Sequence, residues 1–192
     1  MKVAVLISGR GSNMAALIEA AKDPAYPAEI VLVIANLADA GGLAIAAAQG
    51  IETALIEHAP FGKDRGAHER VIDARLRQAG VQIVALAGYM RVLTPFLVEA
   101  WAGRMINIHP SLLPAFPGLL THRRALEAGV SEHGCTVHMV TVGVDEGPIL
   151  GQAKVPVLPG DTEASLSARV LGEEHGLYVR CLAELARTLG DR

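Results

Sequence analysis

Strand-length apolar runs recur along the first half of this chain, each followed by a stretch with helical spacing. That alternation is the strongest constraint on its fold. Residues 2–8 (KVAVLIS) are apolar and β-branched, as expected of a strand buried on both faces, and residues 82–87 read the same way. Further strands are expected at 29–36, 52–56 and 104–109. Between them, residues 14–22 place Leu17, Ile18 and Ala21 at helical spacing, and 42–49 are rich in alanine. Residues 67–79 are amphipathic, with Val71, Ile72 and Leu76 on one face. Thr94-Pro95 reads as an N-cap with proline at N1, opening a helix over 96–101. Four strand–helix units before residue 104 predict a parallel sheet with helical crossovers.

The second half changes character. Pro110, Pro114 and Pro117-Gly118 mark a stiff loop, and 121–127 a short helix. Residues 134–141 alternate Cys135, Val137 and Met139 against Thr136, His138 and Val140, the pattern of a less buried strand. A turn at 144–148 leads to a strand over 149–157. So tight a connection implies an antiparallel pair, so the sheet becomes mixed here. Asp161 and Thr162 cap a long helix running to about residue 189. The loop at 58–66 reads as surface, its histidine and charges solvated. At 192 residues, with no repeat or linker, the chain is expected to form one α/β domain, 1–192.

A net charge of −3 lacks the basic footprint of a nucleic-acid binder. Cys135 and Cys181 have no metal-ligand spacing and suggest no disulfide framework. The start MKVAVLISG enters a strand directly, without the features of a signal peptide, and no run approaches a membrane span. A cytoplasmic protein with small-molecule ligands is expected.

Chemistry concentrates at residues 105–118, MINIHPSLLPAFPG. Side chains two apart on a strand share a face, so Asn107 and His109 project together just before Pro110 ends the ladder. Ligands in open α/β sheets bind beyond the carboxyl ends of the strands. An amide that can hydrogen-bond an oxyanion beside an imidazole that can relay a proton suits acyl-type transfer. A satisfied core histidine and a turn-initiating asparagine fit the same spacing. After the first strand, Gly9-Arg10-Gly11-Ser12-Asn13 opens a helix, whose free N–H groups and dipole favour an anion. It is neither the Walker pattern nor a full dinucleotide fingerprint, and a purely structural turn fits as well. Asp145 could orient His109 and raise its pKa if the fold brought them together, although Asp-Glu-Gly-Pro is also turn chemistry.

The segments VLISGRGSN, AGYMRVL (87–93), NIHPSLLP (107–114), HGCTVH, VDEGPIL, QAKVPV and EEHGLY together resemble the phosphoribosylglycinamide formyltransferases, folate-dependent enzymes of purine synthesis. The Asn-His-Asp part is shared with other formyl-folate enzymes. SGRGSN and the EEH at 173–175 point to this member, and the chain lacks the extra domain of those relatives. The resemblance implies a single-domain Rossmann-like formyltransferase fold. Its N-terminal part would bind the ribonucleotide, its C-terminal part the folate, with the active site between them.

By that resemblance, Gly11, Ser12 and Asn13 would hold the ribonucleotide phosphate, and Glu174 the ribose, with Leu171, Gly172 and Glu173 lining its site. Met90, Arg91, Val92 and Leu93, with Asn107 and Thr141, Val142, Gly143, Val144 and Asp145, would hold the pterin side of 10-formyltetrahydrofolate. Arg65 and Arg91 would face its benzoyl-glutamate end. Asn107, His109 and Asp145 match the catalytic trio. The cosubstrate is 10-formyltetrahydrofolate, no metal is expected, and a homodimer is admitted. Three departures stand out: Leu120 where similar members often have histidine, Val179 where proline is common, and an end soon after the last helix. Hydrolysis of formyl-folate and a catalytically silent nucleotide-binding module are the rival readings.

Overall fold

The computed structural model describes residues 1–191. Seven strands form one mixed sheet: β1 (Lys2–Ile7), β2 (Glu29–Ala35), β3 (Glu52–Leu55), β4 (Ile83–Leu86), β5 (Met105–His109), β6 (Glu132–Met139) and β7 (Ile149–Pro156). Their order is β3-β2-β1-β4-β5-β6-β7. The strands are parallel from β3 through β5, and β6 and β7 run antiparallel. The helices are α1 (Ser12–Ala20), α2 (Gly42–Ala48), α3 (Arg65–Gln78), α4 (Pro95–Ala100), α5 (Thr121–Glu127) and α6 (Glu163–Gly190). No described helix is long and apolar enough to cross a membrane.

The period of two in β1 explains why both sheet faces are covered. Val3, Val5 and Ile7 point into one core with Met14 and Leu17 of α1 and Val170, Leu177 and Tyr178 of α6. Ala4 and Leu6 point into a second core with Ile72 and Leu76 of α3 and Leu97 of α4. The strand order reverses between β1 and β4, which opens a crevice at their carboxyl ends. The loops after β1, β4 and β5 all start there. Ser8 joins two of them: its N–H donates to the Gly88 carbonyl at 3.1 Å, and its hydroxyl accepts the Met90 N–H at 2.8 Å.

The structure differs from the sequence expectation in several places. β6 is buried along nearly its whole length, because it lies between β5 and β7 with α6 packed against it. Val71 is 43% exposed, and the inner face of α3 uses His68, Glu69, Ile72 and Leu76. His58 is not simply solvated: its Nδ1 lies 3.0 Å from the Asn36 carbonyl, beside a short 3₁₀ turn at Ala59–Phe61. Thr94 is the N-cap of α4 with Pro95 opening the helix, as its sequence suggested, although its hydroxyl donates to buried Glu69 and makes no capping bond.

Val179 sits within an uninterrupted α6, and its carbonyl accepts from the Tyr26 hydroxyl at 2.8 Å. Thr162 does cap α6, through a reciprocal capping box with Ser165. Both cysteines are free and buried.

Candidate active site

The crevice is a cleft of about 580 Å³, within the range of small-molecule sites. Asn107 and His109 line it together, as their spacing on β5 requires. The turn after β6 brings Asp145 to them, its Oδ2 lying 3.3 Å from His109 Nδ1. Asp145 has φ 56, and the Gly118 N–H holds the same Oδ2 at 2.8 Å. His109 Nε2 donates to the Phe116 carbonyl at 3.1 Å. The imidazole thus faces an acceptor at each nitrogen, an arrangement that suits the doubly protonated ring.

Burial opposes that preference. His109 is 5% exposed, and desolvation pulls its pKa below the ordinary imidazole value. The Phe116 carbonyl and the Asp145 carboxylate both push upward without overcoming it. The expectation that Asp145 would raise His109 therefore holds for its own contribution and fails for the net direction. For Asp145, burial raises the pKa, but the adjacent His138, the hydrogen bond from the Gly118 N–H and the nearby His109 outweigh it and hold the carboxyl below its usual value.

At the other end of the cleft, α1 begins two residues earlier than its spacing suggested. Its N-cap, Gly11, has φ 75, and no side chain caps the helix, so its first N–H groups lack intrahelical partners. A Cβ on Gly11 would lie 2.9 Å from the Gly42 Cα, so only glycine suits both this dihedral and this close approach. Asn13 lines the cleft, as does Glu174 of α6. Asn13 Nδ2 donates to Glu174 Oε2 at 2.6 Å, while the buried Asn13 Oδ1 has no partner. Burial raises the Glu174 pKa against the lowering effect of that hydrogen bond.

Residues 90–93 and 141–145 form two walls of the cleft. Arg65 stands behind the first wall, its Nη1 donating to the Val92 carbonyl at 3.2 Å. Gly11 is the N-cap of α1 and Ser12 its first residue, and neither lines the cleft. Leu171, Gly172 and Glu173 do not line the cleft, and Gly172 and Glu173 are exposed, because successive helical residues turn about 100° from one another. Leu120 lines the cleft in the left-handed region, with φ 57.

Sequence reasoning assigned no role to His138, which lines the same cleft at 3% exposure. Its sequence signals were its place in the alternation of β6 and its position at the end of the HGCTVH segment. His122 also lines the cleft and was unassigned, with buried His133 3.2 Å behind it. Among the described residues, no group of three or more His, Cys, Asp or Glu is placed to hold a metal ion.

The cleft lies at a topological switch point and brings an amide, an imidazole and a carboxylate together, a set chemically suited to group transfer. The formyl transferase family matches residues 1–182, and the chain belongs to that family. It is 47% identical over 178 residues to the phosphoribosylglycinamide formyltransferase of Escherichia coli strain K12, an overlap of 93% of this chain and 84% of that one. It is 51% identical to the trifunctional purine biosynthetic protein adenosine-3 of Drosophila pseudoobscura pseudoobscura over 96% of this chain. It spans only 14% of that relative's length. The crystal structure of phosphoribosylglycinamide formyltransferase from Brucella melitensis superposes with a TM-score of 0.92 at 54% identity, covering 96% of this chain and 95% of that one.

Proposed function

We propose that this chain transfers the formyl group of 10-formyltetrahydrofolate to the amine of phosphoribosylglycinamide, a step in purine (IMP) biosynthesis. It does so as one cytoplasmic formyltransferase domain acting on small molecules, without nucleic acid or membrane. The ribonucleotide takes the N-terminal part, the folate the C-terminal part, and the reaction lies between them. One observation carries the reading: Asn13 and Glu174 line the same cleft as Asn107, His109 and Asp145. A phosphate-and-ribose site continuous with an acyl-transfer site fits a ribonucleotide acceptor, whereas water needs no such site.

In this reading, the turn at Gly11 and Ser12 and the start of α1 hold the phosphate, and Glu174 binds the ribose hydroxyls. Residues 90–93 and 141–145 enclose the pterin, with Arg65 and Arg91 toward the glutamate carboxylates. The glycinamide nitrogen attacks the formyl carbon, and the carbonyl electrons move onto oxygen. Asn107 donates to that oxyanion, and protonated His109 does so once its Nε2–H leaves the Phe116 carbonyl. Collapse expels the folate nitrogen, which takes a proton from His109 directly or through water. Asp145 stabilises the imidazolium, and water carries off the proton lost by the attacking amine. Incubation with both substrates, read by mass spectrometry, should yield ribonucleotide heavier by one formyl group in place of hydrogen. Free formate as the only product would overturn the assignment.

A further inference from the structure

We infer that His138 is a positioning residue that sets the orientation of the Asn107 amide, an inference that rests on the formyl-transfer reading above. The two side chains face each other across β5 and β6, where Asn107 pairs with His138 in the antiparallel register. His138 Nδ1 lies 2.9 Å from the Met139 carbonyl. A carbonyl only accepts, so Nδ1 carries the proton. In the neutral ring, Nε2 is then an acceptor, and Asn107 Nδ2 stands 3.2 Å from it.

The choice between amide ends follows from that tautomer. An Asn107 carbonyl turned toward Nε2 would set two acceptors against each other inside a buried site, since His138 is 3% exposed. With Nδ2 toward the ring, one amide N–H satisfies His138 and the second is free for the cleft. Asp145 Oδ1 is the other group near Nε2, at 3.5 Å, the outer limit for a hydrogen bond. At that distance the Asn107 amide is the nearer partner of Nε2, and His138 acts through it. It fixes which end of Asn107 is presented to a developing oxyanion, before any substrate arrives.

Two substitutions separate the two ring nitrogens. His138→Gln can reach the Nε2 position with an amide oxygen, whereas His138→Asn reaches only the Nδ1 position and leaves Asn107 without its acceptor. The expected result is that His138→Asn lowers kcat by tenfold or more with both KM values within about twofold, while His138→Gln restores kcat to within a few-fold of the parent. In an Asn107→Ala background, itself slowed about 10²–10³-fold, His138→Asn should cost less than a further threefold. His138→Leu repeats the cycle if His138→Asn is poorly folded. Losses that multiply across the double variant, equal losses in the Gln and Asn variants, or a loss confined to KM would each overturn the inference. A parent enzyme that fails to formylate the ribonucleotide would instead sink the underlying functional reading.

Discussion

Asn13 and Glu174 lie 161 residues apart, yet their side chains meet at 2.6 Å and close one end of the cleft. The first βα turn and the last helix thereby become one surface. Both residues were readable as site candidates, one from a glycine turn and one from family resemblance. That they act on each other depends on α6 packing along α1, a contact between the two ends of the chain.

Glu174→Ala should raise KM for phosphoribosylglycinamide about ten- to a hundredfold, the range for losing a hydrogen bond to a charged group. Affinity for a folate analogue, measured by calorimetry, should stay within a few-fold. An equal loss at both substrates would detach Glu174 from the ribonucleotide.

Asp145→Asn removes an upward contribution to the His109 pKa, which burial already holds below the ordinary value. If protonated His109 is the working form, activity falls as pH rises through that pKa. The limb should therefore move to still lower pH in the variant. Pairing it with His109→Ala should cost less than the product of the single losses, since the two act as a unit. An unmoved limb would remove Asp145 from control of the imidazole.

The parallel part of the sheet was legible because strand and helix periods alternate without conflict from residue 2 to residue 109. The antiparallel ending followed from one tight turn. His138 was not legible as a site residue, because its contact with Asn107 depends on the register of two strands joined through 22 intervening residues. Nor was the net direction of the His109 pKa, because sequence shows the carboxylate and not the depth of burial. The exposure of Val71 and the burial of β6 were misread for one reason: both depend on which neighbours cover an element.

Gly11→Ala should lower the denaturant midpoint, because φ 75 costs an L-residue roughly 1–2 kcal/mol and the new Cβ would press on the Gly42 Cα. Gly9→Ala is the control, since its Cβ meets no atom within 4 Å. Equal midpoints for the two variants would contradict the close approach of α1 to the start of α2.

His133 is buried, and desolvation pulls its pKa down to about 4, with His122 and His109 adding to the effect. Between the ordinary imidazole value and about 4, the unfolded chain binds the proton and the native state does not. Stability is therefore lost as pH falls through that window, and the loss levels off below it. His122 and His109 are shifted in the same direction, so His133→Gln should flatten the slope without abolishing it. Thermal midpoints from pH 7 to pH 4 test this, and an unchanged slope would rule out His133 as a contributor.

The most direct test of the central claim is the rate at which deformylated folate appears, measured with and without phosphoribosylglycinamide. Transfer through a cleft that joins the Asn13–Glu174 end to the trio predicts turnover that requires the ribonucleotide and saturates with it. Equal rates in its absence would make the chain a formyl-folate hydrolase, and binding of both ligands without turnover would make it a silent module.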